Sequence, residues 1–163
     1  MKKAVSNVAQ AIVGFGVMLA LWCVGSYCYD YTFENFTLEN KYEGVQAVII
    51  FLMPVLLLIA TVVGKKFQLK TLYFSSLIGV GLPVLSCFLF SLFSNDGNIL
   101  SWIFAFTLGL FLSPFHSLAW RTFDGVWLYP LGISPDFCAG MLTVSVIVSI
   151  ILFKIMKPRK EKN

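Results

Sequence analysis

Residues 99–133 read ILSWIFAFTLGLFLSPFHSLAWRTFDGVWLYPLGI, and whether this stretch crosses a membrane decides how many helices the protein sends through it. It begins like a span: Trp102, Phe104, Phe106, Leu108, Leu110, Phe111 and Leu112 follow one another with few polar residues between. It does not end like one. Ser113-Pro114 interrupts it, and the residues beyond hold the only histidine, His116, together with Arg121 and Asp124 among the aromatic residues Trp120, Trp127 and Tyr129. Trp and Tyr collect where a bilayer meets water.

The rest of the chain sets the class. Of 163 residues, 58% are hydrophobic and 12% charged, with a mean hydropathy of +0.84. A soluble domain carries about 25% charged residues, so a water-soluble fold is excluded. A hydrocarbon core about 30 Å thick takes about 20 apolar residues of helix, and five segments approach or exceed that length: 8–27, 45–63, 71–93, 99–118 and 135–156. Backbone amides find no water in lipid, and none of the segments alternates like a barrel strand. The expected fold is all-α, a polytopic integral membrane helical bundle forming a single membrane domain over 1–163. Lys2 and Lys3 before the first segment resemble a secretory leader, but the apolar run is too long for a leader core and is expected to stay as helix one.

Positive charge predicts topology, because Lys and Arg gather on the cytoplasmic side. Lys2 and Lys3 place the N-terminus inside, the acidic loop 30–44 outside, and Lys65, Lys66 and Lys70 inside again. Ser94-Asn95-Asp96-Gly97-Asn98 then favours a tight outer turn. If segment four crosses, the twelve Lys and Arg divide six and six. If 99–133 enters and leaves on the outer side, only Lys41 and Arg121 face out and ten of the twelve lie inside. The second division is the expected one. It makes 99–118 either a re-entrant hairpin breaking near Ser113-Pro114 or an apolar helix lying along the outer interface. The basic tail 154–163 then faces the cytoplasm and touches anionic lipid.

Two Ser-Pro pairs are expected to start helices, since serine caps and proline fits the first helical position: Ser113-Pro114, and Ser134-Pro135 with Asp136 in its first turn. Pro54, and Gly79, Gly81 and Pro83 in the run Gly79-Val80-Gly81-Leu82-Pro83, interrupt helices two and three. Such breaks can open backbone carbonyls to a substrate, which makes these four residues pathway candidates. The plainer expectation is a kink relaxed by neighbouring helices.

Ionisable groups inside a membrane are costly and usually functional, and the four clear spans hold none at mid-depth. His116, Arg121 and Asp124 are therefore the catalytic candidates. On a helix, Arg121 and Asp124 share a face and can pair, and in a hairpin His116 sits near the apex as acid, base or ligand. The plainer alternative is an interfacial histidine beside a neutralised pair. A hydrolase site can be drawn from Ser113 or Ser117 with His116 and Asp124. One histidine and no Cys-x-x-Cys pair argue against a metal or thiol-redox centre, and no cofactor is expected. Cys28 and Cys138 would both lie near the outer face, where they can pair or act as small apolar fillers.

The leading expectation is a non-enzymatic accessory, protective or regulatory subunit acting through helix packing in the cell membrane. Its partners are the lipid bilayer and another membrane protein or a homo-oligomer, with no nucleic acid. A small permease or transporter component is the alternative, and an intramembrane enzyme centred on His116 the second.

Overall fold

The computed structural model describes residues 2–35, 43–93, 99–127 and 134–157. Among them every element is helical: α1 (Lys2–Asn35), α2 (Glu43–Lys66), α3 (Lys70–Phe93), α4 (Ile99–Phe104), a π-helical turn (Ala105–Gly109), α5 (Leu110–Trp127) and α6 (Pro135–Ile155). Four helices are long and apolar enough to cross a membrane, namely Val5–Cys28 within α1, Val45–Lys66 within α2, Lys70–Phe93 and Pro135–Ile155. The 24 residues of α2 and of α3 each span about 36 Å, more than a hydrocarbon core about 30 Å thick.

Contacts fix their directions. Gly14 of α1 meets Ser75, and Met18 meets Gly79 of α3, so α1 and α3 run the same way. Thr61 bonds Ser149, and Lys65 lies over Phe153, so α2 and α6 run together. Gly64 against Tyr73 and Gln46 against Gly25 set the first pair antiparallel to the second. One end of the bundle therefore gathers Lys65, Lys66, Lys70, Lys154 and Lys157, together with the start of α1. The segment from Ile99 to Trp127 leaves α3 and reaches α6 at the opposite, distal end, so it does not add a fifth pass through the bundle.

Polar side chains lie inside the bundle and large apolar ones outside, which fits helices long and apolar enough to cross a membrane. Ser26, Gln46, Thr61, Ser76, Ser86, Thr122, Ser145 and Ser149 are buried, while Val13, Phe51, Ile59, Phe74, Ile78, Leu85 and Ile151 point outward. Water would favour the reverse. Inside, a hydroxyl pair joins α2 to α6, Thr61 and Ser149, 2.8 Å apart. The interior is filled by Trp22, Met53, Leu57, Val80, Phe123 and Leu142, each at most 1% exposed.

Several expectations are met and others are corrected. Segments two, three and five match α2, α3 and α6, and Ser134 caps α6: its Oγ accepts from the Phe137 amide at 3.2 Å, with Pro135 at the first helical position and Asp136 in the first turn. The first helix runs well past residue 27, to Asn35, because nothing between Tyr27 and Asn35 breaks a helix; the loop is shorter than 30–44 at its start. The segment 99–118 is helical throughout, within a run that continues to Trp127, and it does not break at Ser113-Pro114. Pro114 lies inside α5, and the irregularity falls one turn earlier, at Ala105–Gly109. There the π turn widens the backbone, and the Thr107 hydroxyl donates to the Ile103 carbonyl at 2.6 Å, a bond that accompanies helix distortion. The turn 94–98, the loop 36–42 and the tail beyond Lys157 lie outside the described residues.

Candidate functional site

The distal end holds most of the residues singled out in the sequence. Its centre is α5, which packs against α1, α3, α2 and α6. Leu112, Ala119 and Phe123 are buried, and with His116 they recur at spacings of four, three and four, the stripe by which a helix docks. Phe123 meets Trp22 edge to face at 5.5 Å. The Thr122 hydroxyl donates to the Leu118 carbonyl at 2.8 Å and approaches the Trp22 carbonyl at 3.4 Å. Its side chain also fills the space that a Cβ on Gly25 would need, 2.6 Å away. From α2, the Gln46 amide donates to the Gly25 carbonyl at 2.9 Å. Gly25 thus admits Thr122 of α5 because it has no side chain, while its carbonyl receives Gln46 of α2.

His116 sits on the same helix, half-buried. Its ring stacks on Phe90 at 4.2 Å and lies nearly parallel to Trp120 at 6.2 Å. Burial pushes the imidazole below its ordinary pKa of 6.5, so it is neutral at pH 7. Arg121 is half-buried on α5; the side chain of Asp124 lies outside the described residues. The helix keeps the Arg121–Asp124 spacing of three but separates His116 from Asp124 by eight positions, about 12 Å along the axis. A hydrolase site that uses the Asp124 side chain lies outside the described residues. No group of three His, Cys, Asp or Glu able to hold a metal occurs among the described residues. None of the four cysteines, Cys28 and Cys138 included, forms a disulfide.

The breaks in α3 are packed. Proline lacks an amide, so Pro83 leaves the carbonyl four residues earlier, that of Gly79, without its helical donor. The indole Nε1 of Trp22 supplies the missing bond at 3.1 Å, and Met18 covers Gly79 closely. Gly79 and Pro83 are buried, whereas Gly81 faces open space with no atom within 4 Å of its Cβ position. Pro54 lies inside α2 without ending it.

The sequence reading missed Trp22, Gln46 and Gly25. The four-residue spacing of Gly79 and Pro83 announces an orphan carbonyl, but no local signal names its donor, 57 residues away. Also missed was a concave site at the basic end, lined by Gly64, Lys65, Gln68, Lys70 and Phe153, whose lysines served only to predict topology. No protein-family model matches the chain, and no curated protein or solved structure matches it.

Proposed function

We propose that the chain is a non-enzymatic, multi-pass protein of the cell membrane, an accessory, protective or regulatory subunit that acts by packing against another membrane protein. The observation that carries this reading is the arm formed by α4, the π turn and the start of α5. Its described attachment is Phe104, which stacks on Phe93 at 4.9 Å and meets Phe90 at 5.3 Å. Beyond that anchor, Ile103, Leu108, Leu110 and Phe111 are 56–69% exposed. They belong to a segment that is not among the four membrane-length helices. A large apolar patch outside the bundle's own packing is characteristic of an interaction surface. The same arm continues into α5, which packs against the bundle.

Orientation follows from charge. Five lysines at one end, set against Arg121 at the other, favour a cytoplasmic basic end and a cytoplasmic N-terminus. The closed core and the plugged Gly79 carbonyl weigh against a pathway through a single copy.

A photo-crosslinking residue at Phe111, compared with one at Ile59 on the lipid-facing side of α2, tests the reading in intact cells. It expects one discrete adduct of defined mass at Phe111, lost when Leu108→Gln is added, with none at Ile59. Equal, diffuse labelling at both positions would sink it.

A further inference from the structure

We propose that the face shared by α3 and α6 binds one anionic phospholipid, with its headgroup in the lysine-lined pocket at the basic end and an acyl chain in the separate apolar groove farther along the same stripe of α3. The proposal is independent of the partner reading above.

The headgroup half is a pocket of about 220 Å³. Lys65 comes from the last turn of α2, Gln68 and Lys70 from the connection into α3, and Phe153 from α6. Lys65 is half-buried, with its Nζ 4.8 Å from the centre of the Phe153 ring. Lys66, Lys154 and Lys157 lie at the same end of the bundle, exposed. The described residues at this end include no Asp or Glu. Lysines in the last turns of α2 and α6 complement the negative ends of those helices and satisfy the positive-inside bias. The dipole argument does not cover Lys70. It opens α3, where the helix dipole already presents positive charge, and it shares a small pocket with Lys65. An anion between the two ammonium groups removes both sources of repulsion.

The acyl half lies farther along the helix pair, past the rings of Tyr73 and Phe153. Tyr73 and Phe153 stack at 3.9 Å and close α3 onto α6 at the basic end. Beyond them the helices part around a groove of about 530 Å³ lined by Ile78, Gly81, Leu85, Phe88, Thr143 and Val146. Its one polar side chain, Thr143, donates back to the Ala139 carbonyl at 2.7 Å, so the wall presents hydrocarbon alone. Lys70, Phe74, Ile78, Gly81, Leu85 and Phe88 recur at spacings of three and four, which places pocket and groove on one stripe of α3. Lys70 and Gly81 are about 16 Å apart along the axis. That matches one leaflet, half of a core about 30 Å thick.

The paired polar and apolar halves favour a lipid over a free phosphate. A second copy in the same orientation would set its own five lysines against these.

The test uses the purified full chain in mild detergent. Its melting temperature is followed as phosphatidylglycerol, phosphatidylcholine with the same chains, or inorganic phosphate is added, and each variant is compared with its own lipid-free value. The expected result is an upward shift of several degrees with phosphatidylglycerol alone. Lys65→Gln with Lys70→Gln should abolish the shift, Lys65→Arg with Lys70→Arg should keep it, and Lys157→Gln should leave it intact. Gly81→Leu, which enters open space and spares the fold, should reduce the shift by at least half. An equal shift with phosphatidylcholine, an equal shift with phosphate, or a full shift in the glutamine pair or in Gly81→Leu would overturn the proposal. So would a dimer that Gly81→Leu dissociates, which would assign the groove to a second copy.

Discussion

The Trp22 indole donates its N–H to the Gly79 carbonyl across the α1–α3 interface at 3.1 Å, and Gly79 is the residue whose carbonyl Pro83 deprives of a helical partner. A carbonyl orphaned in one helix is thereby satisfied by a side chain from another. Trp22→Phe keeps an aromatic ring near Phe123 but removes the donor, leaving a buried carbonyl unsatisfied. The expected cost is about 1–2 kcal/mol. Pro83→Ala returns an amide to the Gly79 carbonyl, so in that background Trp22→Phe should cost measurably less. A double-mutant cycle of unfolding in detergent reads the coupling, and additive effects would show that the two residues act separately.

The glycines of α3 should separate by position. A Cβ at Gly79 would lie 2.7 Å from Met18 Cβ and 3.4 Å from the Phe15 carbonyl, inside a helix pair with little room to part. Gly79→Ala is expected to destabilise by about 1–3 kcal/mol. Gly81→Ala meets nothing within 4 Å and gains helix propensity, so it should be neutral or stabilising by up to about 1 kcal/mol. Thermal unfolding of the two variants checks this, and a larger loss at Gly81 would contradict the packing described.

The side of each connection follows from helix direction. Reporters active on one face only, placed after Lys66 and after Lys157, should report the same side, and one inserted between Phe93 and Ile99 the other. Opposite signals after Lys66 and Lys157 would require α6 to run against α2, contrary to the paired contacts Thr61–Ser149 and Lys65–Phe153.

Hydropathy and charge made the helical class and the lengths of α2, α3 and α6 legible, because both depend on composition within about 20 residues. The Ser134 cap was legible for the same reason: serine, proline and aspartate act within one turn. Ser113-Pro114 carries the same local signal but sits inside α5. Leu112, Ala119 and Phe123 dock on four other helices there, and tertiary packing outweighs the lost amide. The role of Gly25 was invisible in sequence, since it depends on Thr122 and Gln46, which approach from two other helices. His116 was found as a singular residue. Its surroundings, Phe90 and Trp120, belong to packing that no local spacing announces.

His116 separates packing from proton chemistry. Its folded-state pKa lies below the ordinary 6.5, so the unfolded chain binds the proton more tightly than the folded one. Stability from the neutral ring is therefore present above pH 6.5 and declines as pH falls through the lower folded-state value. His116→Phe preserves a ring against Phe90 and cannot titrate. It should keep the stability of the parent at pH 7.5 to within about 1 kcal/mol and lose the part of the acid sensitivity that arises between pH 6.5 and the folded-state pKa. His116→Ala should cost about 1 kcal/mol at pH 7.5 through the lost stacking. Unfolding in detergent as a function of pH measures both variants against the parent. If His116→Phe followed the parent's pH profile unchanged, the acid sensitivity would belong to another group; if it lost biological activity while remaining as stable as the parent, His116 would be acting through its nitrogens, and the enzymatic reading would displace the packing one.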